Sequence, residues 1–239
     1  MLYALLGIIL EMIVLFFISR QVTNQLFTIL YMIFRSKTVA ISIITLIQFP
    51  GTVIHELSHL FTAEILGVHT GKITLVPIQT EENNIQTGSV QVAVTDPFRR
   101  TAIGIAPVIS GIIAITTIAY FLPSLIINVQ TAWNMSQTFT APPLYILIAM
   151  CYFMFSISTA MFSSKEDMKG VIPLLITLII FFLAAYILGI RIGLTDTLTN
   201  QIVTLLYTLG KSLGIVIGIN LFTLIIASPI RARMIKSSK

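Results

Sequence analysis

Residues 38–66 read TVAISIITLIQFPGTVIHELSHLFTAEIL, and this stretch decides the fold. A helix needs about 20 mostly apolar residues to cross the hydrocarbon core of a bilayer. This stretch exceeds that length and carries only two carboxylates, those of Glu56 and Glu64. The whole chain has the same character, because 56% of its 239 residues are hydrophobic and only 10% are charged. A soluble domain of this size needs a charged surface, so the composition predicts a membrane protein.

Further apolar runs predict an all-α polytopic membrane protein, a single membrane domain over 1–239 built as a bundle of about six transmembrane helices. The spans are expected at residues 2–19, 38–66, 102–122, 143–162, 171–190 and 205–227. Pro50-Gly51 is expected to kink the second span or to unwind it for a short turn. Thr23–Phe34 is too short to cross and is expected to lie at the membrane interface.

A different pattern follows the second span. Two segments alternate apolar and polar residues or are rich in Val, Ile and Thr, namely Lys72–Ile78 and Gly88–Val94. They flank the polar stretch Thr80–Asn84. Two such segments around a polar turn predict a small β-hairpin at residues 72–94 with a solvated tip.

The net charge of +5 does not indicate a nucleic-acid partner. The lysines and arginines lie in short loops between spans and in the basic tail at 228–239, which is how membrane topology is encoded and also favours anionic lipid headgroups. In a six-span topology these residues are more numerous on the side of the two termini. A multi-pass protein of the cell membrane with both termini in the cytoplasm is therefore expected.

The motif His55-Glu56-Leu57-Ser58-His59 is the part of the chain that predicts chemistry. The two histidines are four residues apart, so on a helix they share one face and can bind one metal ion together. Glu56 is rotated by about 100° from His55, which places its carboxylate beside the metal, where it can act as a general base. Ionisable residues inside a span are costly to bury and functional by default. The motif predicts one Zn2+ per chain.

A third protein ligand would complete the site and leave one position open for water. Asp167 is the strongest candidate, because the span count brings the chain back to the membrane face of His59 at residue 163. Asp167 could instead be the N-cap of the fifth span. Glu166 is the substitute, and a glutamate at the hairpin tip, such as Glu81, would have to fold back.

Two other candidate ligands are not expected to reach the metal. Glu64 lies nine residues after His55, about 180° round the helix. His69 follows Gly67 in a loop beyond the end of the helix.

The stretch Phe49–His59, followed by Gly67-Val68, resembles the site-2 protease family of intramembrane zinc metalloproteases. In that family a hairpin follows the metal-binding helix, a span with an Ala-Pro or Gly-Pro segment comes next, and a later span begins at the Asp that is the third zinc ligand. Ile105–Gly111 is similar to the Ala-Pro segment, and Asp167 matches the third ligand by position. The resemblance covers residues 39–190, and it implies a protease-like core in a minimal form without PDZ-like or cystathionine-synthase-like domains.

The resemblance implies hydrolysis of peptide bonds in or near the transmembrane segments of other membrane proteins. A peptide bond inside a helix is protected by its own hydrogen bonds, so the enzyme must hold an unwound stretch of substrate extended. Strand addition to the hairpin edge at Gly88–Val94 would do so. A role of this segment as a lid or as a plain connector is equally open.

Two alternative functions use the same residues. A metal-ion transporter or channel could use His55, His59 and Asp167 as a transit site, although transit does not require a Glu beside the first His. A membrane zincin of another class would take a Glu as its third ligand.

The remaining polar and small residues inside the spans are expected to serve packing. Glu11 could pair with Lys211. Gly210, Gly214 and Gly218 recur at four-residue spacing, which favours a close helix contact within the bundle or between two copies of the chain.

Overall fold

The computed structural model describes residues 2–74, 78–79, 85–86, 89–136, 142–162 and 196–237, and five single positions between 177 and 188. These residues form five helices and four short strands. The helices are α1 (Leu2–Phe34), α2 (Lys37–Ile65), α3 (Pro97–Ser136), α4 (Pro142–Ala160) and α5 (Asp196–Ser237). The prediction of a mostly helical chain with a small hairpin is confirmed. The expected fifth span, 171–190, lies outside the described residues except for those single positions.

Four of these helices, α1, α2, α3 and α5, are long and apolar enough to cross a membrane. The helix α4 is apolar over Leu144–Ala160 but shorter. This finding supports the prediction of a membrane protein. The total of six spans stays a prediction.

The surface of α2 shows the inverted polarity of a helix that faces lipid. Several of its large apolar side chains point outward, and Leu46 and Phe61 are 71% and 60% exposed. Many of its polar side chains point inward, and Gln48, His55 and Glu56 are no more than 4% exposed. A soluble protein would bury the first set and expose the second, so the pattern indicates that the outer medium is apolar.

The stretch Thr23–Phe34, expected at the membrane interface, is not separate from the first span, because α1 continues through it as one helix of 33 residues. The physical reason is a contact with α2. Val22 is fully buried, and the hydroxyl of Thr23 accepts a hydrogen bond of 3.0 Å from Nε2 of Gln48. These interhelical contacts hold the second half of α1 against the bundle.

Of the two alternatives expected at Pro50-Gly51, a kink or an unwound turn, the unwound turn is not found, because α2 is helical from Lys37 to Ile65 with Pro50 inside it. Proline removes one helical hydrogen bond, and neighbouring helices can satisfy the backbone groups that it frees. Pro50 frees the carbonyl of Leu46, four residues earlier, and the amide N–H of the next residue, Gly51, donates to the hydroxyl of Ser156 in α4 at 2.9 Å. That bond stabilises the backbone beside the proline.

The second half of α4 lies at the centre of the bundle. Every residue from Met154 to Phe162 is buried, and a helix that is buried all round belongs to a core. Its apolar side chains pack with residues of α1, α3 and α5, including Leu15, Ile115 and Leu213. Its small polar side chains face α2 and α5. The helix α4 therefore connects α2, which carries the motif His55–His59 and is called the metal-motif helix below, to the rest of the bundle.

A glycine ends α2 and turns the chain into the hairpin. Gly67 has a φ of 67°, a left-handed conformation that suits glycine. The amide of Gly67 donates to the carbonyl of Glu64 at 3.0 Å and that of Val68 to the carbonyl of Ala63 at 2.8 Å, which together form a Schellman cap. Val68 also packs on Ala63 and Ile103, so the cap fixes the start of the hairpin against α2 and α3.

The strands are β1 (Thr70–Thr74), β2 (Ile78–Gln79), β3 (Ile85–Gln86) and β4 (Ser89–Val92). β1 pairs with β4 and β2 with β3, both antiparallel, which is the nested order of one hairpin. The predicted hairpin is therefore confirmed. Its expected tip at Thr80–Asn84 lies outside the described residues.

The glycine series of α5 makes less internal contact than its spacing suggests. A Cβ at Gly210 would lie 3.5 Å from a carboxylate oxygen of Glu11 in α1, whereas Cβ atoms at Gly214 and Gly218 would meet none of the described residues within 4 Å. Glu11 therefore packs over Gly210. The contact between two copies of the chain stays a prediction.

Candidate metal centre

The three chemical side chains of the motif are buried in the bundle. His55, Glu56 and His59 are 3%, 4% and 7% exposed. They lie in the second half of α2, on the side that faces α3 and α4. The helix itself brings His55 and His59 together, because residues four apart lie one turn apart on one face.

The two imidazoles have the geometry of a shared metal site. Nε2 of His55 and Nε2 of His59 are 3.2 Å apart. Two nitrogen ligands at 2.0–2.1 Å from a tetrahedral zinc ion are separated by about 3.3 Å. The separation of the pair therefore matches that of two zinc ligands, and imidazole nitrogen is a ligand type that zinc prefers.

A backbone carbonyl orients the second histidine. Nδ1 of His59 lies 2.8 Å from the carbonyl oxygen of Ile103 in α3. A carbonyl oxygen can only accept a hydrogen bond, so Nδ1 carries the proton and donates it. Nε2 of the neutral ring then directs its lone pair at His55. This arrangement, with one ring nitrogen on a backbone acceptor and the other available to a metal, is typical of histidine ligands.

The described residues contain no third His, Cys, Asp or Glu grouped with the two histidines. The predicted third ligand Asp167 lies outside them, as do Glu166, Glu81 and Glu82. The identity of the third ligand therefore stays a prediction.

The two residues that were not expected to bind metal have other surroundings. His69 is exposed, and its backbone carbonyl accepts from the amide of Ala93 at 3.0 Å across the base of the hairpin. Glu64 is exposed and accepts a hydrogen bond of 2.9 Å from the hydroxyl of Thr70. Both belong to the junction between α2 and the hairpin.

The hairpin base lies next to the metal motif. Val92 of β4 packs against a small cluster formed by Ala63, Val68 and Ile103. Ile103 is the residue whose carbonyl holds His59. Ile103 of α3 therefore belongs to the cluster on which β4 packs, and its backbone carbonyl bonds a residue of the candidate metal centre.

The carbonyl of Ile103 and the hydroxyl of Ser156 are the site features that sequence reasoning missed. The first is a backbone atom, which leaves no signature in the spacing of side chains. The second belongs to a serine in an apolar helix, and its partner Gly51 is 105 residues away in the chain. Neither the hydrogen bond to the carbonyl of Ile103 nor the one to the hydroxyl of Ser156 could be inferred from residue types alone.

Comparison of the chain with protein-family models, with characterised proteins and with solved structures found no match.

Proposed function

We propose that the protein is an intramembrane zinc metalloprotease that hydrolyses peptide bonds in or near the transmembrane segments of membrane proteins. The observation that carries the proposal is the separation of 3.2 Å between the Nε2 atoms of His55 and His59. Both side chains are buried, and their helix is long and apolar enough to cross a membrane. Glu56 follows His55 directly. A carboxylate at this position of a metal-binding helix is the general base of metalloproteases.

His55, Glu56 and His59 each have a role in the proposed reaction. When bound between the imidazoles, zinc would lower the pKa of a water molecule to about 7 and polarise the scissile carbonyl. Glu56 accepts a proton from the attacking water and then donates it to the amine nitrogen that leaves. His59 is kept in the metal-binding tautomer by the carbonyl of Ile103. Burial of the three side chains excludes bulk water and strengthens the local electrostatic interactions.

Asp167 is our proposed third ligand, with Glu166 and then Glu81 as substitutes. Carboxylate oxygen completes a zinc site of two histidines in several hydrolases and leaves the fourth position open. A Glu in this role would assign the protein to a different class of membrane zincin.

The substrate is proposed to bind as an extended strand along the hairpin, in the region Gly88–Val94. Support comes from the packing of Val92 against the cluster that contains Ile103, since a peptide on β4 would then lie close to the motif. Addition of a strand satisfies the backbone groups of an unwound substrate. The distribution of lysine and arginine among the loops favours a cytoplasmic location for this side of the protein, together with both termini.

The test compares wild-type protein with Glu56→Gln in native membranes by proteomics of membrane-protein fragments. Glu64→Gln is the matched control, because Glu64 lies in the same helix but is exposed and bonded to Thr70. We expect Glu56→Gln to keep stoichiometric zinc and to lose cleavage by about 10²–10⁴-fold, and Glu64→Gln to cleave normally. Cleavage by Glu56→Gln at the wild-type rate, or wild-type protein without zinc, would refute the proposal.

A transport function gives a different result in the same material. Proteoliposomes that take up zinc through wild-type protein and Glu56→Gln alike, without any peptide cleavage, would assign the site to metal transit. Transport would then depend on His55 and His59 but not on Glu56.

A further inference from the structure

Pro107 lies inside α3, four residues after Ile103, and is fully buried. In an α-helix the N–H of each residue bonds to the carbonyl four residues earlier. Proline has no N–H. The carbonyl of Ile103 therefore receives no hydrogen bond from position 107, although Ile103 itself is only 4% exposed.

A buried backbone carbonyl needs a partner, and here the partner is the candidate metal ligand. Nδ1 of His59 donates to the carbonyl of Ile103 at 2.8 Å. We propose that Pro107 is a positioning residue of the metal centre: by lacking an N–H it leaves the carbonyl of Ile103 available to fix the tautomer and orientation of His59. The inference rests on the proposed zinc site and names a residue that acts on it from a neighbouring helix.

A second proline in the same helix separates this role from a general effect of proline on α3. Pro123 is also intrahelical, but it is exposed, and the carbonyl that it frees belongs to Ala119, which lies in the core shared with α1, α4 and α5. Proline destabilises a helix interior relative to alanine, because it removes one hydrogen bond of the helix. At position 107 the hydrogen bond from His59 offsets part of that cost, because the freed carbonyl is not left without a donor.

The substitution Pro107→Ala tests the proposal, because it restores an N–H that competes with His59 for the carbonyl of Ile103. Zinc affinity is measured by chelator competition in purified protein. Loss of an outer-shell partner weakens metal binding by about 10–100-fold, so we expect a loss of that size in Pro107→Ala and none in Pro123→Ala. Equal affinities of wild type, Pro107→Ala and Pro123→Ala would overturn the inference.

A backbone substitution distinguishes the missing N–H from the shape of the proline ring. The α-hydroxy analogue of alanine at position 107 has the alanine side chain and an ester oxygen in place of the N–H. We expect this variant to bind zinc as tightly as wild type. If it loses as much affinity as Pro107→Ala, the ring and not the absent N–H is responsible, and the inference is wrong.

Nitrogen NMR of the histidine rings in metal-free protein gives a readout that does not depend on zinc. The chain has three histidines, and His59→Gln assigns the signal. We expect Nδ1 of His59 to be protonated in wild type and in Pro123→Ala, and the two tautomers to be mixed in Pro107→Ala. Wild-type protein with this tautomer but no affinity for zinc would refute the proposed function and leave the positioning role intact.

Discussion

The amide N–H of Gly51 donates a hydrogen bond to the hydroxyl of Ser156 at 2.9 Å, and at this point α2 and α4 are nearly in backbone contact. A Cβ atom at Gly51 would overlap the carbonyl oxygen of Ser156 and would lie 2.9 Å from the Cβ of Ala160. The contact is one turn before His55. It therefore sets how closely the metal-motif helix approaches the central helix of the bundle.

We predict that Gly51→Ala destabilises the protein, because the obstructing atoms belong to backbone and cannot rotate away. Overpacking of a tight interior typically costs about 1–3 kcal/mol, which would lower the midpoint of denaturant unfolding in detergent. Gly7→Ala is the control, since a Cβ there meets no atom within 4 Å in the part of the chain that the structure describes, and alanine favours a helix interior by about 1 kcal/mol. A midpoint for Gly51→Ala equal to that for Gly7→Ala would contradict the close approach.

A second contact of α4 predicts a measurable coupling to α5. Asn220 is fully buried, and its amide nitrogen donates to the hydroxyl of Ser158 at 2.8 Å and to the carbonyl of Val216 at 3.0 Å. Interhelical hydrogen bonds in membrane proteins average about 0.6 kcal/mol. A double-mutant cycle with Ser158→Ala and Asn220→Ala should give a coupling of about that size. Strictly additive changes in unfolding free energy would show that the bond does not contribute.

The third zinc ligand can be identified by metal content. We predict that Asp167→Ala loses stoichiometric zinc, whereas Glu166→Ala and Glu81→Ala keep it, because a site with two protein ligands binds metal much more weakly than one with three. Atomic absorption of the purified variants measures this directly. Retention of zinc by Asp167→Ala with loss in Glu166→Ala or Glu81→Ala would assign the site to a zincin with a Glu ligand.

The start of α3 should depend on pH through Asp96. Its carboxylate accepts hydrogen bonds from the amides of Arg99 at 3.0 Å and Phe98 at 3.1 Å. The pKa of Asp96 is lowered from its usual 3.8. The largest cause is the hydrogen bond from the Arg99 amide, followed by the charge of Arg99 and the hydrogen bond from the Phe98 amide. Because the folded pKa is the lower one, the stabilisation is complete above the unfolded pKa and is lost as pH falls through the folded value.

Hydrogen exchange of the first-turn amides of α3 measures this effect. Asp96→Asn is the matched control, because Asn caps a helix about as well as Asp and does not titrate. Protection at Phe98 and Arg99 should fall in acid for wild type and stay constant for Asp96→Asn. If both proteins lose protection equally, the carboxylate of Asp96 is not the cap.

Several elements of the fold and site could be predicted from local pattern. The bounds of α2, expected at 38–66 and found at Lys37–Ile65, follow from the length of the apolar run, because lipid excludes charge and an uncovered backbone. The pairing of His55 and His59 follows from helix geometry, which is the same in every helix. The hairpin follows from alternation around a polar turn.

Other expectations failed because they depended on neighbours. Thr23–Phe34 was predicted as a separate segment on length alone, but Gln48 of α2 supplies a partner for Thr23 and the helix continues. Pro50 was expected to kink α2 or to unwind it, and the unwound turn is not found; Ser156 of α4 bonds the adjacent amide. In both cases the segment makes a hydrogen bond to a residue distant in sequence, which local reasoning does not include.

The sequence by itself determined the apolar character of the protein, the approximate positions of its long helices but not their ends, and the two imidazoles with a carboxylate next to them in the chain. Only the tertiary structure decided that the carbonyl of Ile103 holds His59, 44 residues away, and that Gly51 meets Ser156. The physical reason is the range of the forces. Burial preference and helical geometry act between residues a few positions apart, whereas these hydrogen bonds form only when whole helices pack in one particular arrangement.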